Sequence, residues 1–192
     1  MARIFRRCEY VGVDARVPPR GRTAWSRRAV VIACLLLIAV PLQSRAEPLP
    51  QPTGEVILTI TGDIEHRNTA EGAAFDRAML EALGTQKLRT SSDWTDGIAE
   101  FEGVPARAVM AAVGAKGKTV IASALNDYKV EIPVSDFENY PVLFALKMDG
   151  REMTVRDRGP IWIIYPRDDF PELRNERVNA RWVWQLSGLT VE

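Results

Sequence analysis

The stretch GPIWIIYP, residues 159–166, decides the fold. Its central residues, Ile161 to Tyr165, are apolar throughout, the pattern of a strand buried on both faces. By alternation Trp162 shares a face with Ile164 and opposes Ile161, Ile163 and Tyr165. Two roles fit Trp162: core packing, or an aromatic face for a flat heterocycle, where stacking adds on the order of 0.5–1.5 kcal/mol beyond burial.

Working outward from that strand, most of the pattern is β. Thr119 to Ser123 reads as a short strand, Tyr128 to Ile132 alternates apolar with charged residues, and Val142 to Met148 runs into the pair Asp149-Gly150 before Glu152 to Val155. An Asp-Gly pair between strands is a strong hairpin signal. Glu55 to Thr61 is β-branched and bounded by Gly54 and Gly62, and a final strand is expected over 182–191. Two helices interrupt the strands. One is expected from a cap at Asn68 or Thr69, with Phe75, Met79, Leu80 and Leu83 at helical spacing and Gly84 as its stop. The other follows Pro105, with Val104, Ala108, Val109 and Ala112 on one face and Gly114 as terminator. Residues 167–179 are polar and turn-rich, a surface loop. These elements predict one α+β domain over 55–192, with a mixed, curled β-sheet and a few short helices.

The head of the chain has a different composition. Up to residue 46 it carries nine Arg against Glu9 and Asp14, and it leads into the apolar run Ala29 to Leu42. Those fourteen residues fall short of the roughly 20 a spanning helix needs. Arg27 and Arg28 precede the run, Pro41 breaks it, and Ser44-Arg45-Ala46 offers small residues where a signal peptidase reads. Residues 1–46 are therefore read as a cleaved export signal and 47–54 as a proline-rich leader, which predicts a periplasmic protein. Ser26-Arg27-Arg28 resembles a twin-arginine signal, although Ala29-Val30-Val31 fits it only loosely; the general secretory route is the plainer reading.

Removal of 1–46 leaves 16 Lys and Arg against 23 Asp and Glu, a formal charge of −7. An acidic domain of this kind is a poor nucleic-acid binder. Both cysteines, Cys8 and Cys34, leave with the signal, so no disulfide can staple the mature chain. Its stability must come from a hydrophobic core, and its 146 residues are enough to bury roughly two-thirds of the unfolded surface.

The inventory for catalysis is thin. His66 is the only histidine and the mature chain has no thiol. A zinc, copper or iron site normally draws on several such ligands, so no metal ligand is predicted. Ser-His-Asp and Cys-His constellations are missing for the same reason. Asp168-Asp169 and Asp136 with Glu138 supply carboxylates for a carboxylate-only hydrolase, but charge pairs in loops are usually solvated surface. No catalytic residue is assigned.

Three stretches in order, NDYKVEIP at 126–133, GPIWIIYP at 159–166 and RWVWQLSGLTV at 181–191, resemble the sulfite oxidase-type molybdopterin-binding domain family. The resemblance runs from about Gly62 to Val191. It implies a pterin pocket near the turn Asn126-Asp127-Tyr128, with Asp127 as the acceptor that would pair bidentately with the N–H edge of a pterin; an Asx turn joining two strands is the other role these residues fit. It also implies that Arg181-Trp182 is the basic-Trp element near the cofactor's anionic tail, that Trp94 lines the cofactor edge, and that Trp162 stands where catalytic members commonly carry arginine. Arg158 is a further candidate for an anion or a pterin carbonyl. Alternation sets Arg181 and Val183 on one face, with Trp182 and Trp184 on the other.

Catalytic members hold molybdenum through a cysteine thiolate, and no cysteine follows Ala46 in this chain. Within the family it looks most like small, exported, cysteine-less members that bind pterins and regulate membrane-bound signalling enzymes of cyclic di-GMP metabolism. The resemblance therefore implies a pterin without molybdenum as ligand and the periplasmic domain of such an enzyme as partner. A molybdenum cofactor in an oxidoreductase, and a ligand-free interaction module, are the alternatives.

Overall fold

The computed structural model describes residues 49–192, and the export signal expected over 1–46 lies outside them. The domain is α+β, with ten strands, four short helices and two single 3-10 turns among the described residues. The strands form two five-stranded sheets. In the first the order is β2 (Ala73–Asp76), β1 (Val56–Gly62), β10 (Leu186–Val191), β5 (Thr119–Ala124), β6 (Lys129–Pro133). It is mixed: β1 runs parallel to β10, with Thr59 opposite Gly188, and every other pairing is antiparallel. The second sheet is antiparallel, in the order β3 (Gln86–Ser91), β4 (Ile98–Pro105), β7 (Leu143–Met148), β8 (Arg151–Glu152), with β9 (Trp162–Ile164) also paired to β7.

The deciding stretch behaves as its composition predicts. Ile161 to Tyr165 are all completely buried, and β9 places Ile163 opposite Phe144 and Trp162 opposite Ala145. The turn Asp149-Gly150 has positive φ at both residues, 50° and 74°, the geometry of a tight hairpin that an Asp-Gly pair tolerates. Past the turn, β8 lasts only two residues. Val155–Asp157 is a 3-10 turn, so the strand expected over 152–155 is shorter than the pattern suggests.

The helix expected from Asn68 starts eight residues later. Asn68 spends its side-chain amide on the backbone of Ala74, accepting from its N–H at 2.8 Å and donating to its carbonyl at 2.9 Å. That bracket turns the chain into β2, whose four residues are all buried, and Phe75 becomes a strand residue opposite Leu58. Helix α1 (Arg77–Ala82) is capped by Asp76, whose Oδ1 accepts from the Met79 N–H at 2.8 Å. Helix α2 (Ala106–Val113) ends at Gly114 as expected, with φ 60°, but buries Ala106, Val109, Met110 and Val113. Val104 lies in β4 and Ala108 and Ala112 are only half-buried, so the buried face is rotated from the one the spacing suggests.

Helices α3 (Val134–Asn139) and α4 (Glu176–Asn179), like strands β3 and β4, have no counterpart in the sequence reading. The strand expected over 182–191 begins only at Leu186. Before it, the Arg181 and Trp182 N–H groups bond back to the carbonyls of Val178 and Asn179, continuing the turns of α4, and Gln185 takes φ 52°. Alternation does not apply there, and Trp182 and Val183 are both buried although adjacent.

Candidate functional site

Three loops meet at a cavity of about 230 Å³. Residues 92–97, between β3 and β4, bring Trp94. The turn between β5 and β6 brings Asn126 and Tyr128. The segment after α4 brings Ala180, Trp182, Val183 and Trp184, and Asn179 lines the cavity as well. Trp94 packs edge-on to Trp184 with centroids 5.6 Å apart, and tilted against Trp182 at 5.9 Å. On the other side Tyr128 donates its hydroxyl to the Ala180 carbonyl at 2.9 Å, tying the β5–β6 turn to the segment after α4.

Four of the residues singled out in the sequence thus converge: Trp94, Asn126, Tyr128 and Trp182. The other four do not line the cavity. Asp127 sits exposed at the tip of the turn in a left-handed conformation, φ 65°, and the side chain that shapes the turn is Asn126, whose Oδ1 accepts from the Tyr128 N–H at 3.2 Å. Trp162 is fully buried one layer beneath. It meets Phe101 edge-on at 5.5 Å and lies 6.3 Å from Trp182 and 6.5 Å from Trp184, so core packing is the role its position supports. Arg158 lies with its guanidinium 5.2 Å from the Trp162 ring centroid, a cation–π contact.

Arg181 is committed elsewhere. Its Nη1 donates to Asp136 Oδ2 at 2.7 Å, and the same oxygen accepts from the Tyr165 hydroxyl at 2.9 Å. Asp136 is 9% exposed and Tyr165 is completely buried. Burial above all, with the Asp136 carboxylate second, pushes the Tyr165 hydroxyl well above its ordinary range, which keeps it a donor. Tyr165 in turn stacks on Trp182 at 6.4 Å and 29°, so this buried triad supports the cavity wall from behind.

Two residues that line the cavity each carry a polar atom without a hydrogen-bond partner, the indole N–H of Trp182 and Oδ1 of Asn179; both atoms are closed off from solvent, as is the equally unpaired indole N–H of Trp162 beneath them. Buried polar groups are nearly always paired, so such orphans call for a partner. Asn179 falls in the polar stretch expected as a surface loop, and Trp184 is distinguished in the sequence only by sharing a face with Trp182 under alternation. Neither residue carries a local signal of its role, because the cavity is made by elements distant in sequence.

A family model for the oxidoreductase molybdopterin-binding domain matches residues 64–168. The chain belongs to that family. A search of curated proteins finds no match. The domain type is one that binds a pterin-type cofactor, and the cavity can be tested against each part of it. The tryptophan-lined wall with one donor and one acceptor suits a flat heterocycle. A phosphate tail would need a cation, and no Lys or Arg lines the cavity. The volume is also below the roughly 300–1,000 Å³ usual for larger ligands. For a metal, Cys8 and Cys34 both precede the domain, and among the described residues no group of three or more His, Cys, Asp or Glu side chains is arranged to hold an ion. The residues present fit the ring and not the molybdenum-bearing, phosphorylated whole.

Proposed function

We propose that this domain binds a phosphate-free pterin in the cavity between Trp94, Trp182 and Trp184, without molybdenum, and works as a periplasmic sensor. The observation that carries this reading is the neutral wall lined by Trp94, Trp182 and Trp184. A pterin presents both donors and acceptors on a flat ring, so it would stack on indole and, where the wall yields to admit it, pair with the Trp182 N–H and Asn179 Oδ1. The resemblance to small, exported, cysteine-less relatives supports the further step that ligand occupancy is passed to the periplasmic domain of a membrane-bound enzyme of cyclic di-GMP metabolism. For that, the partner must bind the occupied and empty forms with different affinity.

The test is calorimetric titration with 2-amino-4-oxopteridine, together with fluorescence of small molecules extracted from protein purified out of its own periplasm. Trp182→Phe removes the unpaired N–H and keeps an aromatic face, though a smaller one; an affinity loss of roughly 5-fold or more is expected, from about 1 kcal/mol or more for an unpaired buried group. Family membership itself favours a second reading, a molybdenum-dependent oxidoreductase. Elemental analysis of the same protein decides between them: molybdenum near one per chain, with turnover of an oxo-transfer substrate, would replace the sensor reading.

A further inference from the structure

We propose that Asp93 is a positioning residue that sets the hydrogen-bonding pattern of the cavity and holds Trp94 against it; this rests on the pterin reading. Asp93 itself does not line the cavity. Its Oδ2 accepts from Asn179 Nδ2 at 2.5 Å and its Oδ1 from Arg167 Nη1 at 2.6 Å. A carboxylate only accepts, so it must face the amide nitrogen of Asn179. The amide oxygen is thereby turned away from Asp93 and left as an acceptor without a partner in a residue that lines the cavity. Without Asp93 either orientation of the amide is open, and the wall could offer a donor where it now offers an acceptor.

The same carboxylate anchors the loop that bears Trp94. Residues 92–97 are braced internally, with Ser92 and Thr95 hydroxyls 2.9 Å apart and the Trp94 N–H donating to Ser92 Oγ at 3.2 Å. At the base of the loop Asp168 accepts from the Ser91 N–H at 2.6 Å and its hydroxyl at 2.8 Å, fixing the end of β3. Among the described residues, the side-chain hydrogen bonds joining 92–97 to the rest of the chain are the two made by Asp93. Asp93 therefore couples two features of the cavity: where the Trp94 ring rests and which way the Asn179 amide points.

Two ligands that differ at one position read out the amide. In 2-amino-4-oxopteridine the 2-substituent donates, and in 2,4-dioxopteridine it accepts. The wild type is expected to prefer the first by about tenfold or more, since a site built to pair a donor rejects the analogue that lacks it. Asp93→Ala is expected to bring that ratio towards one. A purely structural role would weaken both ligands alike and leave the ratio unchanged, and that result overturns the assignment. Acrylamide quenching of tryptophan fluorescence, measured without ligand, reads the Trp94 contact. Asp93→Ala should raise quenching in the wild-type background and not in a Trp94→Phe background; equal quenching in wild type and Asp93→Ala overturns the hold on Trp94. If the wild type binds neither pteridine, the pterin reading fails, and quenching still decides the anchoring role.

Discussion

Arg181 and Asp136 form the ion pair whose burial matters most to the cavity wall, since their side chains are only 14% and 12% exposed. Burying two charges is costly, and the pair is offset by its 2.7 Å contact and by the Tyr165 hydroxyl at 2.9 Å. Removing one partner leaves the other charge stranded. Arg181→Met is therefore expected to destabilise the domain by about 3–5 kcal/mol, whereas Arg181→Met combined with Asp136→Leu should recover much of that loss, because no lone charge remains. Urea unfolding of the wild type, both single variants and the double variant checks this. If the double variant is as unstable as the sum of the singles, Arg181 and Asp136 act separately. The basic-Trp pair at 181–182 was legible in the sequence as a unit, but the direction of each side chain was not. Trp182 faces the cavity wall while Arg181 turns to a carboxylate 45 residues away in the chain.

At the scale of elements, Asp76 joins the first sheet to α1. Its Oδ1 caps the helix, and its Oδ2 accepts from the N–H groups of Thr53 and Gly54, each at 2.8 Å. These backbone bonds, the Met79 N–H first, hold its carboxyl below the ordinary range. A depressed carboxyl contributes stability that is fully present above its unfolded value of about 3.9 and is lost as pH falls through the lower folded value. Asp76→Asn leaves an amide N–H₂ facing at least one backbone N–H donor, whichever way the amide turns. It should lower the melting temperature near neutral pH, with the gap to wild type closing in acid below about pH 4. Scanning calorimetry across that range tests it, and a gap constant with pH would mean the carboxylate charge is irrelevant there. Asp76 was not recognisable as a cap, because Phe75, Met79 and Leu80 also satisfy helical spacing with an earlier start. The bracket of Asn68 around Ala74, closed across a turn, decided between the two. In the same way β3, with Gln86, Lys87 and Arg89 exposed, carries too little apolar alternation to mark a strand by itself and is defined by its pairing with β4, register Thr90 to Ala99.

For the whole molecule, the expectation outside the described residues is the export signal. Fusion of residues 1–46 to a reporter active only outside the cytoplasm should yield activity, with N-terminal sequencing placing cleavage after Ala46. Intact Met1 on membrane-bound material would show an anchor instead. Within the domain, the sequence by itself determined what depends on neighbouring residues: the twice-buried strand at 161–165, the Asp149-Gly150 turn, the stop at Gly114, the α+β class, and the shortage of thiol and imidazole. Those features follow from local periodicity and backbone preference, which a few consecutive residues carry. Only the tertiary structure decided that Trp94, Asn126, Tyr128 and Trp182 share a cavity with Asn179 and Trp184, while Asp127 points outward and Trp162 lies beneath. That outcome depends on the register of strands far apart in the chain, with β1 beside β10 and β4 beside β7, and on the turn that follows α4 reaching Trp182 where alternation predicted a strand. Such pairings are set by the simultaneous burial of many side chains, and no single segment encodes them.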